Sequence, residues 1–410
     1  MDHADHRRLG RQLRIFASDE LCGSGLPLWL PAGAAVRAEI ERFVVEQERR
    51  HGYQHVYTPQ LGKRELYERS GHWEHFHDDM YPPMQIGAEQ VVLRPMNCPH
   101  HVLVFRAERR LVRDLPLRIA ELGTMFRNER SGVVGGLARV RQMTLNDGHV
   151  FCTPAQLEAE IADIVAMVEE AYRTLAIPPP RYRLSLRGPG PKFVANDELW
   201  RRSEAVLRAV LDDLALDYAE APGEAAFYGP KIDLQVTDPQ GREETLSTVQ
   251  VDFHLPSRFD LGAYDGEQRV PPVMIHRSIV STMERMVAHL LEVHDGALPV
   301  WLAPTQVKIL PVVDDAFAHA RDIRDRLHAR GLRAAVDTRD ASLGARIRDA
   351  REDRVPYVAV VGRREVADAS VAVRLRDGRQ LEPMPVEHLV DLVGRAVDLR
   401  AASLMPDDVA

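Results

Sequence analysis

At residues 298–306, Leu-Pro-Val-Trp-Leu-Ala-Pro-Thr-Gln, the rhythm of the chain changes, and no single architecture suits what lies on both sides. Beyond the break, strand-like 307–313, helix 315–330, strand 332–337, helix 344–354 and strand 357–362 alternate regularly. Strand 370–375 and helix 386–397 complete the series. Such alternation predicts a separate small α/β domain over 301–400. The last ten residues, 401–410, read as a frayed tail. Ahead of the break the order is irregular. An amphipathic helix is expected over 34–50, with Val36, Ile40, Phe43 and Val44 at helical spacing and His51-Gly52 closing it. Residues 55–61 read as a short strand, with further strands at 91–94 and 117–126. A helix at 156–175, a strand at 182–186 and a helix at 197–213 follow. Residues 231–237 and 244–253 alternate apolar and polar around Asp238-Pro239-Gln240-Gly241, a hairpin pattern. Residues 1–300 are therefore expected to form an α+β domain of antiparallel strands flanked by helices. A chain of 410 residues also exceeds what one ordinary core accommodates.

Composition narrows the classes further. No apolar run reaches bilayer-spanning length, and the charged N-terminus (MDHADHRRLGRQLR) lacks a signal-peptide core. Cys22, Cys98 and Cys152 cannot make a disulfide framework, which fits a reducing, cytoplasmic setting and leaves thiols free for metal or core use. The net charge of −8 argues weakly against a nucleic-acid partner, but a partner meets only one face.

Two constellations carry chemistry. Phe126-Arg127-Asn128-Glu129 precedes a glycine-rich loop, Ser131-Gly132-Val133-Val134-Gly135-Gly136, and then Arg139. An arginine and a glutamate ending a strand under a closing loop can serve a nucleotide, the first on phosphate and the second on an adenine amino group. Taken alone, the same residues also suit a surface ion pair. Arg285, in Thr282-Met283-Glu284-Arg285, could stack on an adenine ring. Cys98, His149 and His276 supply one thiolate and two imidazoles, a set that suits zinc with a position open for substrate. Among seventeen histidines, a core cysteine and two ordinary histidines remain the alternative on spacing alone.

The surrounding words decide between these readings. Pro59 on an early strand, the Arg127 strand-and-loop and the Arg285 helix resemble the three signature motifs of class II aminoacyl-tRNA synthetases. GLPLWLP, GYQHVYTP, SGHW, RPMNCPHH, RIAELGTMFRNE, TLNDGHVF, GEAAFYGPKID, TVQVDF, PVMIHR and TMERM stand in the order found in threonyl-tRNA synthetases. The resemblance covers essentially the whole chain. It implies a catalytic domain over 1–300, an anticodon-binding domain over 301–400, a homodimer built on the first motif, and threonine, ATP and tRNA-Thr as partners.

The resemblance also implies roles. Cys98, His149 and His276 would hold a zinc ion that binds the threonine amino and hydroxyl groups, with Asp147, Tyr228 and Gln250 completing the pocket. Arg127 would bridge the threonine carboxylate and the ATP α-phosphate, and Lys231 would add positive charge nearby. Glu129 would read adenine, Arg139 the distal phosphates and Arg285 the ring face; Met143 and Thr248 would also line the ATP site, with magnesium on the phosphates. His72 would assist transfer to the tRNA terminal ribose. Arg348 and Asp349, on the helix within 344–357, would meet anticodon bases.

Departures from the family pattern are few. The chain opens, at Met1, where the family's catalytic core opens, so the ubiquitin-like and editing domains of most bacterial relatives are not expected, nor is clearance of mischarged serine. Gln142 and Ser281 stand where glycine is usual, at the border of the expected ATP site, and Gly148 replaces a usual alanine beside His149. These changes fit neutral drift or a specialised, inhibitor-resistant copy. A paralogue passing threonyl-adenylate to a carrier protein, and a non-catalytic tRNA-binding regulator, are the competing functional readings.

Overall fold

The computed structural model describes residues 4–238 and 241–406. The turn expected at 238–241 lies partly outside the described residues. The chain opens with α1, His6–Gln12, which the sequence pattern did not suggest; the Asp5 side chain caps it by accepting from the Arg7 amide. The long helix α2, Pro31–Arg50, starts three residues before the expected residue 34, because proline is well suited to a first helical turn. Val36, Ile40, Phe43 and Val44 are all buried, as their spacing requires.

Eight strands form the central sheet: β1 Gln54–His55, β2 Leu117–Phe126, β3 Gln142–Cys152, β4 Arg181–Leu186, β5 Tyr218–Pro222, β6 Lys231–Thr237, β7 Glu243–Asp252 and β8 Val273–Ser278. Their order is β5-β4-β6-β7-β8-β3-β2-β1, antiparallel except for the outermost pair at each edge. Helices α3 Cys98–Arg106, α4 Leu157–Thr174, α5 Asp197–Asp213 and α6 Met283–Val293 complete the main elements of this part. Side chains alternate between the two sheet faces, so one face of β6, β7 and β8 offers Ile232, Val249, Val251 and Ile275 to α2, α4 and α6 in one continuous core. The opposite face carries the polar residues.

Register places these polar residues with regularity. Lys231 pairs with Gln250, Gln250 with His276, and His276 with His149, so four strands present one row of side chains on the same face. The strand expected at 55–61 is instead two short ones, β1 and Leu61–Lys63, on different sheets. Pro59 lies between them. Its missing N–H keeps that segment out of a ladder.

The C-terminal part holds β9 Val307–Pro311, β10 Ala334–Val336, β11 Tyr357–Val361, β12 Ser370–Leu375 and β13 Met384–Pro385, in the order β10-β9-β11-β12-β13. Helices α7 Ala316–Ala329, α8 Leu343–Glu352 and α9 Val386–Asp398 flank it. Its core is separate from that of the large sheet. The chain is thus an α+β protein, with an antiparallel-rich sheet followed by a small α/β unit. The expected frayed tail is corrected over 401–406, where Leu404 is buried in this second core and its carbonyl accepts from the buried Tyr357 hydroxyl at 2.5 Å; residues 407–410 lie outside the described residues. One apolar side chain and one satisfied phenol hold the segment down. Among the described residues, no helix is long and apolar enough to cross a membrane.

Candidate functional site

A cavity of about 530 Å³ opens over the polar face of the large sheet. Cys98 reaches it from the first turn of α3 and His276 from β8, with His149 of β3 beside His276; the ligand atoms of the three all lie within 4.8 Å of one another, and all three residues are buried. His149 Nε2 stands 2.9 Å from His276 Nδ1. Burial, reinforced by His276, pushes the His149 imidazole well below its ordinary pKa, so it is neutral. Burial, with Asp147 and Asp252 nearby, pushes the Cys98 thiol well up. A cation would reverse that preference and draw off the thiol proton. One sulfur and two imidazole nitrogens facing a common point fit a metal ion, and the cavity beside them leaves room for a further ligand.

The rest of the row frames this cluster. Tyr228 donates to Gln250 Oε1 at 2.6 Å and stacks on the His276 ring at 4.8 Å. The buried Asp147, two residues before His149, also lines the cavity; burial pushes its carboxyl up, and His101 and His276 pull it down. Lys231 Nζ is 2.7 Å from Asp233 Oδ2, and Thr248 donates to the other oxygen of Asp233 at 3.2 Å.

The cavity wall is also cationic. Arg127 and Arg285 both line it, together with Met143, Ser281 and Thr282. Burial, with the neighbouring Arg285, pushes Arg127 down, and two like charges on one cavity wall suit an anion. Thr282 orients α6 by capping the Arg285 amide at 3.1 Å. Ser281 has φ of 58°, in the left-handed region, which explains why glycine suits this position.

Not every sequence candidate joins the cavity wall. Glu129 and Arg139 pair with each other at 2.8 Å beside it. His72 is buried behind Phe227, with Nδ1 2.8 Å from Ser70 Oγ and Nε2 lacking a partner among the described residues; burial pushes its pKa to about 3. His75, stacked on Phe227 at 4.2 Å, lines the cavity instead. Gln142 is exposed at the start of β3 and lies outside the cavity lining. On α8, Arg348 is exposed, and Asp349 accepts from Arg339 at 2.8 Å.

Sequence reasoning also missed residues. Asp252 accepts from His276 Nε2 at 2.8 Å, and His101 lies 2.6 Å from His149. His101, directly after Cys98-Pro99-His100, was the one available signal.

Comparison with known proteins now has a geometry to meet. A family model described as tRNA synthetase class II core domain (G, H, P, S and T) matches residues 84–294, and one described as anticodon binding domain matches residues 306–395. Fold and site together therefore define a class II tRNA synthetase core joined to an anticodon-binding unit. A threonine–tRNA ligase of Oceanobacillus iheyensis is 49% identical over 399 residues, 96% of this chain and 62% of that protein. A crystal structure titled as the RNA binding domain of threonyl-tRNA synthetase from Cryptosporidium parvum aligns with a TM-score of 0.91 at 33% identity, covering 96% of this chain and 98% of that one. A structure of a threonyl-tRNA synthetase from Aeropyrum pernix aligns with a TM-score of 0.86 at 27% identity, covering 98% and 97%. The chain belongs to the threonyl-tRNA synthetase family. It spans 62% of the length of the Oceanobacillus relative.

Proposed function

We propose that the chain activates L-threonine with ATP, forming threonyl-adenylate and pyrophosphate, and transfers threonine to the terminal adenosine of tRNA-Thr. The observation that carries this reading is the shared cavity: Cys98 and His276 of the Cys98–His149–His276 cluster line it together with Arg127 and Arg285. Zinc held by the three ligands, when bound, acts as a Lewis acid toward the threonine amino and hydroxyl groups. Asp147 accepts a hydrogen bond from that hydroxyl, and Tyr228 and Gln250, already bonded to each other, wall the pocket as a unit. Arg127 holds the carboxylate against the α-phosphate, a positioning role that favours in-line attack, and Lys231 adds positive charge beside it.

Arg285 covers the adenine face, with Met143 and Thr248 lining the nucleotide site and magnesium accompanying the phosphates. Glu129 reads the adenine amino group and Arg139 the distal phosphates once their mutual ion pair opens. His72, whose Nε2 has no partner among the described residues, assists the transfer step once Phe227 moves from in front of it. Arg348 and Asp349 meet the anticodon.

The cytoplasmic enzyme works as a homodimer. Tyr57, 96% exposed next to Thr58-Pro59, and the exposed Leu61, Met84 and Ile86 support an apolar contact for a second copy on that side. The proposed division is a catalytic domain at 1–300 and an anticodon-binding domain at 301–400. Threonine-dependent pyrophosphate exchange followed by charging of tRNA-Thr tests the reading. Exchange without charging would redirect it to another acceptor, and no exchange would overturn it.

A further inference from the structure

We propose that His101 and Glu121 are positioning residues for the metal: they lock His149 in the one tautomer that turns a bare nitrogen toward Cys98 and His276. The inference rests on the zinc reading above and concerns how the chain prepares its site.

His101 follows Cys98 by three residues on α3, so the same turn of helix delivers a ligand and a residue behind another ligand. It is wholly buried. Its Nδ1 lies 2.6 Å from His149 Nδ1, and its Nε2 lies 3.1 Å from Glu121 Oε2. Glu121 is surrounded by donors: Arg94 donates at 3.0 Å, the Thr58 hydroxyl at 2.7 Å and the Thr58 amide at 3.2 Å. A carboxylate so placed only accepts, so His101 Nε2 carries the hydrogen. In its neutral form His101 has one N–H, and its Nδ1 then accepts. The hydrogen on the short His149–His101 contact then belongs to His149 Nδ1. His149 Nε2 is left with its lone pair.

The same logic runs from the other side. His276 Nε2 faces Asp252 Oδ2 at 2.8 Å, while Asp252 Oδ1 accepts from the amides of His254 and Leu255. His276 Nδ1 is also left bare. Two lone pairs thus confront each other at 2.9 Å beside a cysteine sulfur, an arrangement that calls for a cation. Burial makes any other arrangement costly, because each mis-set proton would leave a polar atom facing its like.

The experiment compares zinc content and the rate of zinc transfer to a chromogenic chelator in the full chain and in His101→Leu and His101→Gln. The wild type is expected to hold one zinc per chain. His101→Leu, which removes the acceptor, should lose zinc to the chelator about 10–100-fold more readily. His101→Gln, whose amide can accept from His149 and donate to Glu121, should restore retention. Equal retention in wild type and His101→Leu overturns the proposal and leaves the zinc site standing. A wild type that binds no zinc overturns the zinc reading itself. Should His101→Leu fail to fold, nitrogen NMR of histidine-labelled, zinc-loaded wild type decides: hydrogen on Nε2 of His101 and Nδ1 of His149 supports the proposal, and the reverse placement overturns it.

Discussion

Gly148 and Arg277 face each other across β3 and β8, and a Cβ on Gly148 would stand 2.3 Å from Arg277 Cζ. The missing side chain is where the guanidinium lies. Arg277 pairs there with Glu48 at 2.6 Å and covers the Tyr53 ring at 4.4 Å, with both charged partners fully buried. The glycine thus leaves room for a buried ion pair. Gly148→Ala must displace Arg277, and breaking a buried pair costs about 3–5 kcal/mol. Urea unfolding should show a loss of that order; a change under about 0.5 kcal/mol would refute the packing account.

Ser281 bears its strain where glycine would not. A left-handed non-glycine residue costs about 1–2 kcal/mol, partly offset by the extra freedom glycine has when unfolded. Ser281→Gly should therefore stabilise the chain by about 0.5–1 kcal/mol. Thermal unfolding of the two proteins checks this, and an unchanged or lower midpoint contradicts it.

Under the proposed reaction, the pocket reads a hydroxyl. Valine, nearly the shape of threonine but without that group, should be activated at least about 10⁴-fold less efficiently. Serine keeps the hydroxyl and lacks one methyl, so discrimination should be only about 10–200-fold. Pyrophosphate exchange with each amino acid measures both ratios. Comparable rejection of serine and valine would remove the hydroxyl from the mechanism.

Glu121 makes stability depend on acid. Burial alone would raise its pKa, but the hydrogen bonds from His101 and Thr58 and the charge of Arg94 hold it down to about 2, against an ordinary 4.5. The folded form binds this proton less readily than the unfolded one. The resulting stabilisation, about 3 kcal/mol, is complete above about pH 4.5 and drains away as pH falls toward 2. Unfolding free energies measured from pH 6 to 3 should fall more steeply in wild type than in Glu121→Gln. Parallel curves would show that the carboxylate contributes nothing of the kind.

The sequence was legible where periodicity was undisturbed. α2, α4, α5 and the alternation after residue 306 follow directly from apolar spacing, within a few residues at their ends. β3 was hidden because Asn146-Asp147-Gly148 spells a turn; only pairing with β2 on one side and β8 on the other holds those residues extended. The three candidate ligands could be named from the family words around them. Their supports could not: Asp252 and Glu121 lie 24 and 20 residues from the histidines they orient, and nothing in local spacing links them. Leu404 likewise reads as tail until the second core is seen to end on it.

The row Lys231–Gln250–His276–His149 has a consequence for misfolding. A slip of β8 by one residue would bring Ile275 or Arg277 to the position of His276 and carry the imidazole into the apolar core. Such a slip takes one of the three candidate metal ligands out of the cavity. Under the proposed function, a sheet mispaired at β8 would be a silent molecule rather than a promiscuous one, and the specific activity of a preparation would count its correctly paired sheets.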